Sequence, residues 1–477
     1  MILEYKETIV VSDYNAIERA ALVKWLEKNA EVNNPEYQQF LRFGGGFPPK
    51  GMSKKIRLYC EVGKEFHIAT GLLYKLMNDF GFSSVGDYTV KQDDIGWNAD
   101  DMYNELYDYQ RKAVDYMSKE QFGGIIVSPA GSGKTQMAIC LLAKLNKSAL
   151  WIVHTGDLVA QSKARYMKYF GDEGVGEISE GRCIIGEKVT FATIQTLCKL
   201  DLDKLKDQWQ TIIVDECHRA CGGVNACKMY YKVLTRLNAQ YKIGITATLH
   251  RADGLEQTTI ALLGEEKYRI MKSQIQNKLI PVTYYMVSTK IGVSPVCYKY
   301  DGTLIFARAV NEICDNPDRN NLIVNDTLSL SNEGHNILLL TDRVEHTQVL
   351  ADMISARTDR PVYIVTGKTA VSRRDFALEK MRTQGGIMIA TFALAKEGLD
   401  IPCLSALLLC TPHKDSTVII QSVGRVERTC ADKTKAIVLD YVDDTRTFAA
   451  QAVKRRRVMK REKAKVVECG IGDWKNE

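Results

Sequence analysis

No apolar run in this chain reaches the length of about 18 residues that a bilayer-spanning helix needs, which excludes a role built on one. The opening Met1-Ile2-Leu3-Glu4-Tyr5-Lys6-Glu7 lacks the architecture of a signal peptide. A cytoplasmic protein with no membrane partner is therefore expected. Metal-ligand spacing is missing as well. Thirteen cysteines are present, yet none forms a CxxC pair or a paired-knuckle pattern, and the one cluster is Cys217, His218, Cys221 and Cys227. Reduced, mostly buried thiols are expected rather than zinc or disulfides. Nor does one sign of charge dominate. The 64 Lys and Arg against 58 Asp and Glu leave +6 over 477 residues, so no global field advertises a polyanion partner.

What is present begins with Ser128-Pro129-Ala130-Gly131-Ser132-Gly133-Lys134-Thr135. The run follows the strand-like Gly124-Ile125-Ile126-Val127 and precedes a helical pattern of Met137, Ala138, Cys140, Leu141 and Leu142. Strand, glycine-rich loop and helix are the parts of a P-loop, in which backbone N–H groups and a helix N-terminus aim at phosphate. Lys134 is then placed on the β/γ oxygens and Thr135 on Mg²⁺, with Gly131, Ser132 and Gly133 in the cradle. Ser128 stands where the strict pattern has Gly. About 80 residues later Asp215-Glu216-Cys217-His218 closes a second apolar strand, Thr211-Ile212-Ile213-Val214. A carboxylate at such a strand tip suits a Mg²⁺ contact, assigned to Asp215, and Glu216 beside it can polarise the attacking water. Together the two runs imply hydrolysis of ATP with Mg²⁺.

Two clusters in the C-terminal half carry related chemistry without forming a second P-loop. They are Gln421-Ser422-Val423-Gly424-Arg425-Val426-Glu427-Arg428, and Ala390-Thr391 through Gly398-Leu399-Asp400-Ile401-Pro402. Arg425 and Arg428 lie three apart and would share a face of a helix. Either they are arginine fingers for a γ-phosphate or they belong to a solvated basic face.

The order of these runs resembles superfamily 2 DExH-type helicases and translocases over roughly residues 105–445. Leu106-Tyr107-Asp108-Tyr109-Gln110 resembles that family's adenine-recognition element, which implies Gln110 as the base-reading amide. The phosphate loop and Asp215-Glu216-Cys217-His218 resemble motifs I and II, and Thr246-Ala247-Thr248 resembles motif III. His154-Thr155 and Thr193-Ile194-Gln195-Thr196 resemble motifs Ia and Ib; Ile337 through Arg343 resembles motif IV. The two later clusters resemble motifs V and VI, and Gly398 and Asp400 are expected to face the nucleotide. Thr391 and Asp400 are candidates for the link between strand and ATP. Within the superfamily the chain resembles the XPB-like branch and phage UvsW-type helicases, through its DECH form and through Arg251-Ala252-Asp253, where Ala252 replaces the family's Glu. The resemblance implies two RecA-like domains in tandem, a strand held through His154, Thr155, Thr193, Arg343 and Thr391, and a bacterial or phage-infected cytoplasm.

Periodicity points to the same layout. Apolar strand-like runs at 123–127, 149–153, 189–193, 211–214 and 242–246, then at 336–340, 361–365, 386–390, 404–410 and 435–439, alternate with amphipathic stretches. Such alternation argues for an α/β fold with parallel sheets covered by helices, in two domains. The expected division is a small N-terminal α+β substrate-binding domain at 1–86 and a linker at 87–105. The RecA-like domains follow at 106–278 and 279–450, and a basic tail at 451–477. In the N-terminal domain, helical stretches Ala16–Asn29 and Ile68–Phe80 flank a segment whose five cations, Arg42, Lys50, Lys54, Lys55 and Arg57, are interleaved with Gly, Pro and aromatics. It reads as a duplex or junction contact, or as an ordinary hairpin loop. The run Lys454–Lys465 has eight cations in twelve residues and reads as a phosphate contact, a solvated terminal helix or a localisation signal.

The expected function is thus an ATP-dependent DNA helicase or translocase, acting as a monomer on single-stranded, forked or branched DNA. An RNA helicase, an ATP-driven nucleic-acid switch without unwinding and the ATPase subunit of a restriction system are the alternatives, although no PD…(D/E)xK nuclease pattern stands out.

Overall fold

The computed structural model describes residues 1–43, 48–221, 223–249, 254–396, 399, 401–431 and 433–476. It divides into two compact units, Met1–Met271 and Lys272–Glu477.

The first unit is built on an eight-stranded sheet. Its strand order is Arg182–Ile184, Val175–Ser179, Val189–Thr193, Ala149–Val153, Thr211–Asp215, Tyr241–Thr246, Gly123–Val127 and Glu266–Arg269. All neighbours are parallel except the edge pair Arg182–Ile184 with Val175–Ser179. Strands such as Gly123–Val127, Ala149–Val153 and Thr211–Asp215 are buried at every residue, because helices cover both faces. Parallel order brings the carboxyl ends of the strands, and hence Ser128, His154, Thr193, Asp215 and Thr246, to one edge.

A second sheet in this unit takes up the N-terminal residues, in the order Tyr59–Val62, Glu65–Ile68, Ile9–Ser12, Ile2–Tyr5 and Gly86–Asp87. Helix Ala16–Asn29 starts where the sequence says it should. Asn15 accepts from the Glu18 N–H at 2.9 Å, and the Glu18 carboxylate accepts from the Asn15 N–H at 2.9 Å, a closed capping box. The second expected helix begins later, at Leu73, after a short 3₁₀ turn at Thr70–Leu72. These N-terminal elements do not stand apart. Leu3, Tyr5, Leu22 and Phe66 share one apolar core with Phe122, Ile125 and Leu262, and the Tyr5 and Phe122 rings lie 4.2 Å apart. Lys242, buried in the central sheet, donates from Nζ to the carbonyls of Glu7 at 2.9 Å and Leu234 at 2.8 Å. Gly71 packs so closely that a Cβ there would lie 2.2 Å from the Ile260 carbonyl oxygen. The stretch expected as a linker is strapped down too: the Trp97 indole is buried and donates to the Tyr166 hydroxyl at 2.8 Å, and the Gln92 N–H donates to Gln210 at 2.8 Å.

The second unit has a seven-stranded, wholly parallel sheet in the order Val362–Val365, Ile387–Thr391, Ile337–Thr341, Ala406–Leu409, Ala436–Val442, Val282–Ser288 and Lys465–Cys469. All ten anticipated strands in the two large sheets are found. The two tandem parallel sheets with flanking helices are RecA-like α/β units. The residues expected as a basic tail are instead part of this sheet. Helix Arg446–Arg461 buries Phe448, Ala452, Arg455 and Met459, and strand Lys465–Cys469 pairs with Val282–Ser288. The apolar stripe has the right three-to-four spacing, but Arg455 occupies one of its positions and hides it in the sequence. Arg455 is neutralised in place by Asp440, with Nε and Nη2 each donating at 2.8 Å.

Candidate active site

The phosphate loop leaves strand Gly123–Val127 and enters helix Lys134–Leu145. Gly131 and Gly133 take φ of 79° and 78°, a region open to glycine at little cost. A Cβ at Gly133 would also lie 2.4 Å from Gln110 Nε2. The unpaired N–H groups of the first helical turn face the loop, the arrangement that binds phosphate. Ser128, the departure from the strict pattern, has a role: its hydroxyl donates to the Ser132 hydroxyl, both buried, and closes the loop on itself. A second clamp comes from the preceding helix. Gln110 Nε2 donates to the Ser132 carbonyl at 2.8 Å, the Tyr109 hydroxyl donates to the same oxygen at 3.2 Å, and Gln110 Oε1 accepts from the Tyr107 N–H at 2.8 Å.

Asp215 ends strand Thr211–Asp215, and Glu216 follows it with φ of 49°, a left-handed conformation that costs a non-glycine residue about 1 kcal/mol or more. Lys134 Nζ lies 3.6 Å from Glu216 Oε1. His218 Nδ1 lies 3.3 Å from Glu216 Oε2 and 2.9 Å from Thr246 Oγ1, and the Thr246 hydroxyl donates to the Thr248 carbonyl at 2.8 Å. With that hydroxyl spent, Nδ1 must carry the proton and donate. The His218 ring thus lies against both the carboxylate next to the phosphate loop and Thr246-Ala247-Thr248, its hydrogen bond going to the latter. Sequence reasoning placed these runs separately and missed the imidazole between them, whose only signal was its position in the DECH run.

Burial, and then the charge of Glu216, push the Asp215 carboxyl up to about 7. Burial acts on Glu216 in the same sense, but Lys134 and the neighbouring His218 outweigh it and hold this carboxyl below the usual range. The donor set fits a magnesium ion: Asp215 is a buried carboxylate whose ionisation a cation would restore, and Thr135 offers a hydroxyl in the first turn after the loop.

Along the same sheet edge, Val153 and Thr193 are paired by register. Gln195 Nε2 donates to the His154 carbonyl at 3.0 Å and ties the two loops together. Thr155 caps helix Gly156–Phe170 by accepting from the Leu158 N–H at 3.4 Å, and the Thr193 and Thr196 hydroxyls lie 2.9 Å apart. Burial, then the neighbouring Arg219 and His218, bring the His154 imidazole down to about 4, and neither of its ring nitrogens has a partner among the described residues.

In the second unit, Thr341 and Thr391 are register partners at the carboxyl ends of adjacent strands. Arg343 is held by helix Phe306–Asp315, donating to Asn311 Oδ1 at 2.6 Å and to the Ala307 carbonyl at 3.3 Å. Arg425 is buried and donates to the Leu399 carbonyl. The expected shared helical face of Arg425 and Arg428 is not found. Helix Ser416–Val426 ends before Arg428, with the Glu427 N–H closing its last turn on Val423. Gly398, Asp400 and 251–253 lie outside the described residues, as does the Arg42 side chain.

In the N-terminal sheet region, strand Lys55–Arg57 pairs with Glu31–Asn33. Glu31 takes both Lys55 at 2.7 Å and Arg57 at 3.1 Å, while Lys50 and Lys54 stay exposed. A cleft of about 880 Å³ opens there, lined by Glu27, Glu31, Lys54, Arg57, Asn225 and Lys228 among others. All thirteen cysteines are free thiols. Among the described residues no helix is long and apolar enough to cross a membrane.

Two family models match the chain: "Type III restriction enzyme, res subunit" over residues 103–251 and "Helicase conserved C-terminal domain" over residues 320–430. The candidate ATP-dependent RNA helicase L396 of Acanthamoeba polyphaga mimivirus is 27% identical over 86% of this chain and 79% of its own length. The candidate helicase D10 of Escherichia phage T5 is 28% identical over 70% of this chain and 71% of its own. The DNA 3'-5' translocase XPB2 of Sulfurisphaera tokodaii is 26% identical over 74% of this chain and 84% of its own.

Proposed function

We propose, from the superfamily 2 helicase architecture that the two matched models give this chain, that it is an ATP-driven DNA helicase or translocase acting on branched or forked DNA in replication, recombination or repair. ATP-dependent action on nucleic acid belongs to that architecture; the choice of DNA, of branched forms and of the XPB-like, UvsW-type branch is our reading. The N-terminal region carries it. That region shares an apolar core with the nucleotide-binding sheet and presents exposed Lys54 in the lining of a cleft, with exposed Lys50 four residues before it, so a junction held there is held by the ATPase unit itself. Similarity to a DNA 3'-5' translocase supports DNA and that polarity. Similarity to a candidate RNA helicase favours RNA as the second reading.

In the proposed cycle the phosphates of ATP lie on residues 128–135, with Lys134 released from Glu216 to the β/γ oxygens. Glu216 accepts a proton from the attacking water as the bond between the γ-phosphorus and the leaving oxygen breaks. Thr135 and Asp215 would hold Mg²⁺, which when bound would supply positive charge to the phosphate oxygens. Arg425 and Arg428 are assigned to the charge that develops on the transferring phosphoryl group. His218 passes the state of Glu216 to Thr246-Ala247-Thr248, and His154, Thr155, Thr193, Arg343 and Thr391 hold the strand backbone. Phosphate and sugar contacts carry little sequence information, so action is sequence-independent. A monomer is the proposed active form, to be checked by sedimentation under assay conditions.

The deciding experiment is the steady-state ATPase rate with no polymer, single-stranded DNA, duplex DNA, forked DNA and RNA of the same sequence, with Glu216→Gln as control. Greatest stimulation by forked DNA is expected. Stimulation by RNA alone would overturn the DNA reading.

A further inference from the structure

Six of the eight cations in the run Lys454–Lys465 lie on helix Arg446–Arg461, where the fold sorts them into two populations. Arg455 points inward to Asp440, and Arg456 Nε pairs with Glu468 at 2.7 Å. Lys454, Arg457, Lys460 and Arg461 are all exposed. On helix Arg446–Arg461 these four fall on one side, away from the stripe of Phe448, Ala452, Arg455 and Met459. The neighbouring acids do not cancel them, because Glu468 is taken by Arg456 and Glu462 lies 3.6 Å from Lys272. Four cations thus occupy about 10 Å of helix axis, against a duplex that presents a charge every 1.7 Å or so.

The topology fixes where this face lies. Strand Ala436–Val442 feeds the helix from the carboxyl edge of the sheet, and the parallel strand Lys465–Cys469 begins at the opposite edge. Lys460 and Arg461, in the last turn, therefore sit toward the amino edge, away from Thr341 and Thr391.

We propose that this outer face is a second polymer contact, which binds the backbone of duplex DNA at a distance from the strand held at the carboxyl edge. The inference rests on the nucleic-acid reading above and deepens it. Charge complementarity selects the partner, and a rigid line of cations suits a duplex, whose phosphates keep a fixed spacing. Because no base edge is read, binding is sequence-independent and steeply salt-dependent.

The test compares wild type with a quadruple variant, Lys454→Glu, Arg457→Glu, Lys460→Glu and Arg461→Glu, and with the matching Gln variant in case charge reversal disturbs folding. Binding to a blunt duplex and to single-stranded DNA is measured across a salt series, alongside ATPase kcat at saturating single strand. Duplex affinity is expected to fall at least tenfold at about 0.1 M salt, with the log–log salt slope shallower by about 2–4, roughly 0.9 per lost phosphate contact. Affinity for single strand and kcat should stay near wild type. An unchanged duplex slope in both variants would overturn the proposal, and so would an equal loss on both polymers. If no polymer stimulates the wild-type ATPase while the duplex slope still changes, the function proposed above fails and the surface stands.

Discussion

The side-chain amide of Gln110 donates to the main-chain carbonyl of Ser132 at 2.8 Å, so helix Asp108–Met117 and the phosphate loop are one hydrogen-bonded piece. Gln110→Ala removes that bond and the one from Tyr107, each worth about 1 kcal/mol. The KM for ATP should rise about tenfold with a smaller change in kcat. Gly133→Ala should be far more damaging, because its Cβ collides with the same amide and its φ of 78° is strained for alanine. Steady-state kinetics across an ATP titration separates the two effects.

Lys134→Ala is expected to abolish turnover. Glu216→Gln should keep nucleotide binding while losing about 10²–10⁴ in kcat, the usual contribution of a positioned base. Nucleotide affinity by fluorescence and single-turnover hydrolysis are the paired measurements; normal turnover in the lysine variant would sink the site assignment.

His218→Ala should act differently from either. Basal hydrolysis is retained in part, but the imidazole that lies between Glu216 and Thr246 is gone. The ratio of polymer-stimulated to basal rate is therefore predicted to fall at least fivefold. An unchanged ratio would show that coupling runs through other contacts.

Acid should weaken the second unit through His346. This imidazole bonds to Thr341 at 2.9 Å and Asn320 at 3.0 Å, and burial, then Arg319, bring it down to about 3. Its folded value lies below the unfolded value of about 6.5, so its contribution is whole at higher pH and is lost as pH falls from there toward 3. Between pH 7 and pH 5 the loss is about 2 kcal/mol, read as a lower urea midpoint. His346→Asn should flatten that dependence, and an unaltered pH slope would exclude His346 as its source.

Arg455→Ala leaves the buried Asp440 without its cation, with the Tyr284 hydroxyl still donating to it. A loss of about 3–5 kcal/mol is expected in denaturant unfolding of the second unit. The double change Arg455→Met with Asp440→Leu should recover much of it.

Much of this was legible in the chain because its signals are local. Runs such as Leu150-Trp151-Ile152-Val153 and Leu338-Leu339-Leu340 announce buried parallel strands, and a glycine-rich loop between strand and helix announces phosphate. What escaped depends on pairs distant in sequence. Arg455 looks like one more surface cation until Asp440 is placed against it. Lys55 and Arg57 look free until the hairpin brings them to Glu31. Strand Lys465–Cys469, with charge at Lys465 and Glu468, carries too weak a pattern to be read as a sheet edge. The helix boundary at Val426, which separates Arg425 from Arg428, has no glycine or proline to mark it.

The buried side-chain nitrogen of Lys242 has a bearing on how such proteins diversify. It spends two of its protons on carbonyls of Glu7 and Leu234, one in the N-terminal sheet region and one beside the nucleotide-binding sheet. A cassette that could be traded between motors would meet its neighbour through a thin, polar seam. Here the seam is a continuous apolar interior with an obligatory lysine pinned across it. Grafting this N-terminal region onto another ATPase unit would demand that the recipient's sheet be resurfaced to match, so the two are inherited together or not at all.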